Sequence, residues 1–149
     1  MKKIVALFFL LGALAAEAQQ VEFKVVTTIE SIVPAGVGRS RIISEEDQLN
    51  YEDFTTTRTD GKKSSQGDVS RKDAKINNFE ETKLLNFYSL TGINFQNIAS
   101  NDALISDKIN KMIAEDWELA FVTSGVESDA GAKDGTGIFI TRYIFKRTL

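Results

Sequence analysis

The stretch from Ser100 to Gly125, SNDALISDKINKMIAEDWELAFVTSG, decides the fold. Ile105, Ile109, Met112 and Ile113 recur at i, i+4, i+7 and i+8, a spacing that gathers apolar side chains on one side of an α-helix. Ser100 or Asn101 is placed to cap that helix, Asp102 falls in its first turn, and Asp107 and Lys111 form an i, i+4 pair of favourable polarity. The period then changes. Trp117, Leu119 and Phe121 alternate with Glu118 and Ala120, as in a strand with one buried side. So tight a connection forces the strand back beneath the helix and brings Trp117, the only tryptophan, against the last helical turn.

Downstream, SGVESDAGAKDGTG reads as a flexible loop, and GIFITRYIFKR as a strand. On that strand Phe139, Thr141, Tyr143 and Phe145 share one face, and Ile138, Ile140 and Ile144 share the other with Arg142. The two strands are expected to pair as an antiparallel hairpin. Glu127, Asp129 and Asp134 lie among glycines but lack the ligand order of a calcium loop, so no metal site is assigned. The glycines at 135 and 137 lead into a strand, whereas a phosphate cradle opens a helix.

Upstream, VEFKVVTTIESIV places Val21, Phe23, Val25, Thr27 and Ile29 on one side, which is expected to be the buried one. Pro34, Gly36 and Gly38 then make a turn, and RSRII returns as the second arm of a hairpin. Ser44 is placed to cap a short acidic helix, SEEDQLNYEDF, anchored by Leu49 and Phe54 with Tyr51, or the same segment is a loop, since so short a helix is marginal. Residues 55–78 hold six basic and three acidic side chains and almost nothing apolar, so they read as a mobile polar excursion. KLLNFYSL, Lys83 to Leu90, is apolar on both faces, as a strand covered on both sides is. Gly92 bends it, and Ile93 and Phe95 resume the alternation. Asn86 and Asn94 interrupt these apolar runs and read as hydrogen-bonded structural residues.

The first residues read as a leader. Lys2 and Lys3 precede an apolar run from Ile4 to Ala16, and Ala16-Glu17-Ala18 offers small residues where a signal peptidase reads them. The run is shorter than the roughly 20 residues that span a hydrocarbon core. Residues 1–18 are therefore expected to be removed, leaving a single 131-residue domain, exported to the periplasm or beyond, with no insertion in the membrane. Cleavage takes two of 18 basic and one of 21 acidic residues, leaving 16 and 20 and a net charge of −4. No basic footprint remains for nucleic acid. Cysteine is absent, so this exported chain has no disulfide and no lipidation site and relies on packing.

The α+β expectation is thus an antiparallel sheet of about four to five strands with one main helix on one face. A C-terminal β-α-β-β unit and an N-terminal hairpin supply it, joined because either alone leaves an edge open.

Histidine is absent as well, which excludes a Ser-His-Asp triad, a thiolate nucleophile and the usual zinc ligands. Candidate binding residues are Arg39 and Arg41, which flank Ser40 beside the glycine turn and could grip a carboxylate or phosphate. Tyr143 is a third, as an aromatic stacking platform, a part that Tyr88 or Trp117 could also play. No cofactor is implied.

The order strand, helix, Glu115-x-Trp117-Glu118-Leu119, strand, and a last strand ending Phe145-Lys146-Arg147 resembles a small uncharacterised bacterial domain family. Its signature is a helix ending in E-G-W-E-L-V followed by a hairpin that closes on a basic residue. The resemblance covers about residues 83–147 and implies a β-α-β-β unit; the family has no established activity, so it implies no catalytic residue. Where the family has glycine this chain has Asp116, at the position where the helix ends in a left-handed residue.

Three functional expectations follow. The first is a non-enzymatic interaction or structural module of the cell envelope, bound to an envelope protein or glycan or to another copy of itself. The second is a small-molecule or carbohydrate binder. The third is a carboxylate hydrolase that would draw on Glu80, Glu81 and Glu118.

Overall fold

The computed structural model describes residues 20–32, 40–127 and 137–149. Its architecture is α+β. Strand β1 (Val21–Ser31) lies in the middle of a five-stranded antiparallel sheet, flanked by β2 (Arg41–Glu45) and, on the other side, by the last strand, β7 (Ile138–Thr148). Strand β3 (Phe79–Lys83) pairs outside β2, and β6 (Glu118–Glu127) pairs outside β7, so the order is β3-β2-β1-β7-β6. Both expected hairpins form, and they share one sheet.

Helix α1 (Phe95–Ala114) packs on one face of this sheet. It starts earlier than Ser100 because Asn94 is its cap: the Asn94 side chain accepts the Asn97 N–H at 3.2 Å. Its inner stripe is Asn101, Ile105, Ile109 and Met112, whereas Ile113, expected in that stripe, is exposed. The Asp107–Lys111 pair is present at 2.7 Å.

The helix ends as a Schellman motif. The Trp117 N–H donates to the Met112 carbonyl at 3.0 Å and the Asp116 N–H to the Ile113 carbonyl at 3.1 Å. Asp116 has φ of 66°, the left-handed conformation the corner requires. Trp117 and Met112 are both buried in the core that this corner closes.

That core is Val26, Ile42, Leu84, Met112, Trp117 and Phe145, with Ile105, Ile109, Leu119 and Tyr143 packed against it. Each fully buried side chain of this kind contributes about 1.5–3 kcal/mol. Parity follows from the registers. Val26 pairs with Ser44 and Tyr143, and Thr28 with Ile42 and Thr141, so the even-numbered side of β1 faces the helix. Val21, Phe23, Val25, Thr27 and Ile29, expected to be buried, lie on the opposite face. Period-two alternation separates two sides without saying which one a helix will cover. Two acidic residues of β1 on the covered side are satisfied there: Glu22 pairs with Arg147 at 2.8 Å, and Glu30 accepts from Asn101 at 2.9 Å.

Three further expectations are corrected. Ser44 and Glu45 belong to β2, because Val26 and the residues of β3 take their backbone groups; the only helical turn in that region is a 3-10 turn, Tyr51–Phe54, capped by Asn50. The apolar run Lys83 to Leu90 is not a central strand. The edge strand β3 ends at Lys83, Leu84 turns into the core, and Tyr88–Ser89 (β4) and Gly92–Ile93 (β5) make a separate small hairpin at Gly92, whose φ is 119°. In β6, Leu119 pairs with Phe145 but Phe121 pairs with Ile144, so Ala120 is an extra residue in a bulge. Phe121 thereby moves to the face opposite Leu119.

Candidate functional site

The uncovered face of the sheet is the largest feature that the core does not explain. Along β1 it carries Val21, Phe23, Val25, Thr27 and Ile29; the registers add Ile43 from β2, Phe79 from β3, Ile140 and Ile144 from β7, and Phe121 from β6. Phe23 is 63% exposed and Phe121 60%. No described element packs over them. Val21, Phe23, Phe79 and Phe121 on this face are four of the sixteen large apolar side chains exposed among the described residues.

Charges sit at both flanks of this face and are largely closed upon themselves. Arg41 Nη1 meets Glu81 Oε1 at 2.6 Å on the β2–β3 side, and Lys146 Nζ meets Glu118 Oε1 at 3.3 Å on the β7–β6 side. Arg142, between Thr27 and Thr123 in register, is exposed and takes part in none of the ion pairs among the described residues. Beside it, Gly125 leaves a shallow depression of about 370 Å3 bounded by Thr123, Glu127, Ile140 and Arg142.

Of the binding candidates, Arg41 is committed to Glu81, and Arg39 lies outside the described residues. Tyr143 is on the covered side, packed against the core; burial, more than any other influence, pushes its phenol above the ordinary value. The space beside it, between helix and sheet, is about 10 Å3, at most a single water molecule. The loop residues 128–136 also lie outside the described residues.

Each candidate acid has a cation. Glu80 meets Lys108 at 2.8 Å, and this contact holds its carboxyl below the usual range, the reverse of what a general acid needs. Glu80 and Glu81 point to opposite faces of β3 and so do not flank a common cleft. No group of three or more carboxylates is placed to hold a metal ion among the described residues.

A polar cluster at the end of β1, which sequence reading credited only to Asn86 and Asn94, joins sheet and helix. Asn101, fully buried, accepts the Leu85 N–H at 2.8 Å and donates through Nδ2 to the Leu85 carbonyl at 2.7 Å and to Glu30 Oε1 at 2.9 Å. Burial pushes the Glu30 carboxyl above its ordinary value, with the Asn101 hydrogen bond opposing. The Ser40 hydroxyl accepts the Ser31 N–H at 2.9 Å and donates to Asn86 Oδ1 at 2.7 Å, while Asn97 Nδ2 donates to the Asn86 carbonyl at 2.9 Å. These side chains satisfy backbone that no strand pairs, a structural duty.

No protein-family model, curated protein or solved structure matches the chain.

Proposed function

We propose that this protein is an exported, non-enzymatic interaction module of the bacterial cell envelope that binds through the uncovered face of its sheet. The observation that supports this most is the orientation of β1: its apolar residues Val21, Phe23, Val25 and Ile29 face away from the helix, and its charged residues Glu22, Lys24 and Glu30 face towards it. A free-standing domain gains nothing from that arrangement, because apolar area is stabilising only when it leaves water. The leader-like first residues support export, and the resemblance to a family without established activity fits a module with no reaction centre. The narrow space beside Tyr143 speaks against a small-molecule site beneath the helix.

The test is photo-crosslinking in intact cells from a benzophenone side chain placed at Phe23, at Phe121, or at Val126, which is exposed on the other side of β6. The reading expects adducts of defined mass from the first two positions and none from the third. Equal or absent labelling at all three positions overturns it.

A further inference from the structure

We infer that the uncovered sheet face is closed by a second copy of this chain, giving a two-fold sandwich of two sheets with a helix on each outer side. This rests on the reading above, that the face is the binding surface, and adds the identity of its occupant.

Size is the first argument. Strands β1, β7 and β6 have 11, 11 and 10 residues, and β2 and β3 have five each. At roughly 3.4 Å per residue and 4.8 Å between strands the face covers on the order of 700 Å2. Two such faces bury about 1,400 Å2, within the roughly 1,200–2,000 Å2 of a stable interface. Sheets in face contact pack about 10 Å apart with their side chains interdigitated, and this face is mostly apolar, with Thr27 and Arg142 as the polar residues near its middle.

Charge is the second. By register the face carries Arg41, Lys83, Arg142 and Lys146 against Glu45, Glu81, Glu118 and Glu127, so it holds no excess of either sign to recruit a polyanion or a basic segment. An identical surface satisfies it. Arg142 then selects the symmetry. With the two-fold axis across the strands, the middle of β7 would lie on the partner's β7 and Arg142 would meet its own copy, a repulsive contact. With the axis along β1, β7 lies over the partner's β2 and β6 over the partner's β3, and Arg142 is carried towards the partner's Ile43 and the partner's Glu81. In that arrangement β1 lies on β1.

The absence of cysteine makes a direct test simple. Sedimentation equilibrium of the purified protein is expected to give twice the chain mass. Phe23→Glu combined with Phe121→Glu should raise the dissociation constant at least 100-fold with an unchanged far-ultraviolet spectrum; Phe23→Ser alone, at a more exposed strand end, serves if the double variant does not fold. Val126→Glu should leave the dimer intact. Thr27→Cys should cross-link to itself through a short bismaleimide, and Val122→Cys, on the other side, should not. A dimer that survives the face variants, or cross-links from Val122→Cys instead, overturns the inference and the face reading together. A monomer at all concentrations overturns the second copy alone if the wild type binds an apolar dye and Phe23→Ser does not. If neither binds dye, both readings fall.

Discussion

Asp116 carries a left-handed backbone with a side chain that glycine would spare it. Asp116→Gly is expected to stabilise the protein by about 1 kcal/mol, seen as a raised melting temperature, and an unchanged or lowered one would refute the cap geometry. Asn101→Ala should do the reverse. It removes the partner of the Leu85 N–H and carbonyl at a part-buried site, and a loss of about 1–3 kcal/mol in denaturant unfolding is expected. Glu30 adds a pH dependence. Folding raises its pKa above that of the unfolded chain, chiefly through burial, so the native state holds this proton more tightly. The resulting stability is fully present below the unfolded pKa and is lost as the pH rises through the folded one. Glu30→Gln keeps an acceptor for Asn101 and removes the charge, so its advantage over wild type should appear at neutral pH and vanish in acid. At this scale the sequence was partly legible. A left-handed corner follows from a helix pattern that stops within a few residues of a strand pattern, but Asn101 looked like a cap, since nothing local distinguishes an asparagine that starts a helix from one that reaches out of its middle to a distant backbone.

Elements were legible wherever their partners were close in sequence. The two hairpins and the helix-to-strand corner follow from alternation and spacing. The edge strand β3 does not, because its residues FEETK are exposed and carry no apolar alternation; they are a strand only because β2 offers them an edge. The bulge at Ala120 is equally silent, since alanine alternates acceptably on either face, yet it decides where Phe121 points. Strand β7 ends in a contact that sequence reading also missed: the Arg147 guanidinium lies 4.4 Å from the centre of the Trp117 ring and meets Glu22 Oε2 at 2.8 Å. Arg147→Ala is expected to cost about 1 kcal/mol, a modest figure because the ion pair is partly exposed. Arg147→Lys should recover less than half of it, since a lysine cannot stack and fork at once. Equilibrium unfolding in urea measures both.

For the molecule as a whole, the two sides of the sheet are unequal in an unexpected sense, with the more apolar side of β1 left uncovered. Sequence reading found the alternation and assumed that the apolar side was the buried one; only the register with β2 and β7 reveals that the helix took the other. If a second copy covers the face, folding and association are linked by mass action, and the melting temperature of the wild type should rise with protein concentration while that of Phe23→Ser stays flat. A differential-scanning series over a hundredfold range of concentration reads this directly.

The pairing of β1 with β7 runs from Val21 against Thr148 to Ser31 against Ile138, so the middle of the sheet joins the beginning of the described chain to its end. Strand β7 follows every other described strand in the chain, so synthesis makes it after them. Until then β1 has one neighbour, the core lacks Phe145, and the long-range contacts that hold the fold cannot be drawn. The order of translation thus acts as a timer: β1 and β6 stay unjoined until β7 arrives between them, and the sheet closes in that one late step.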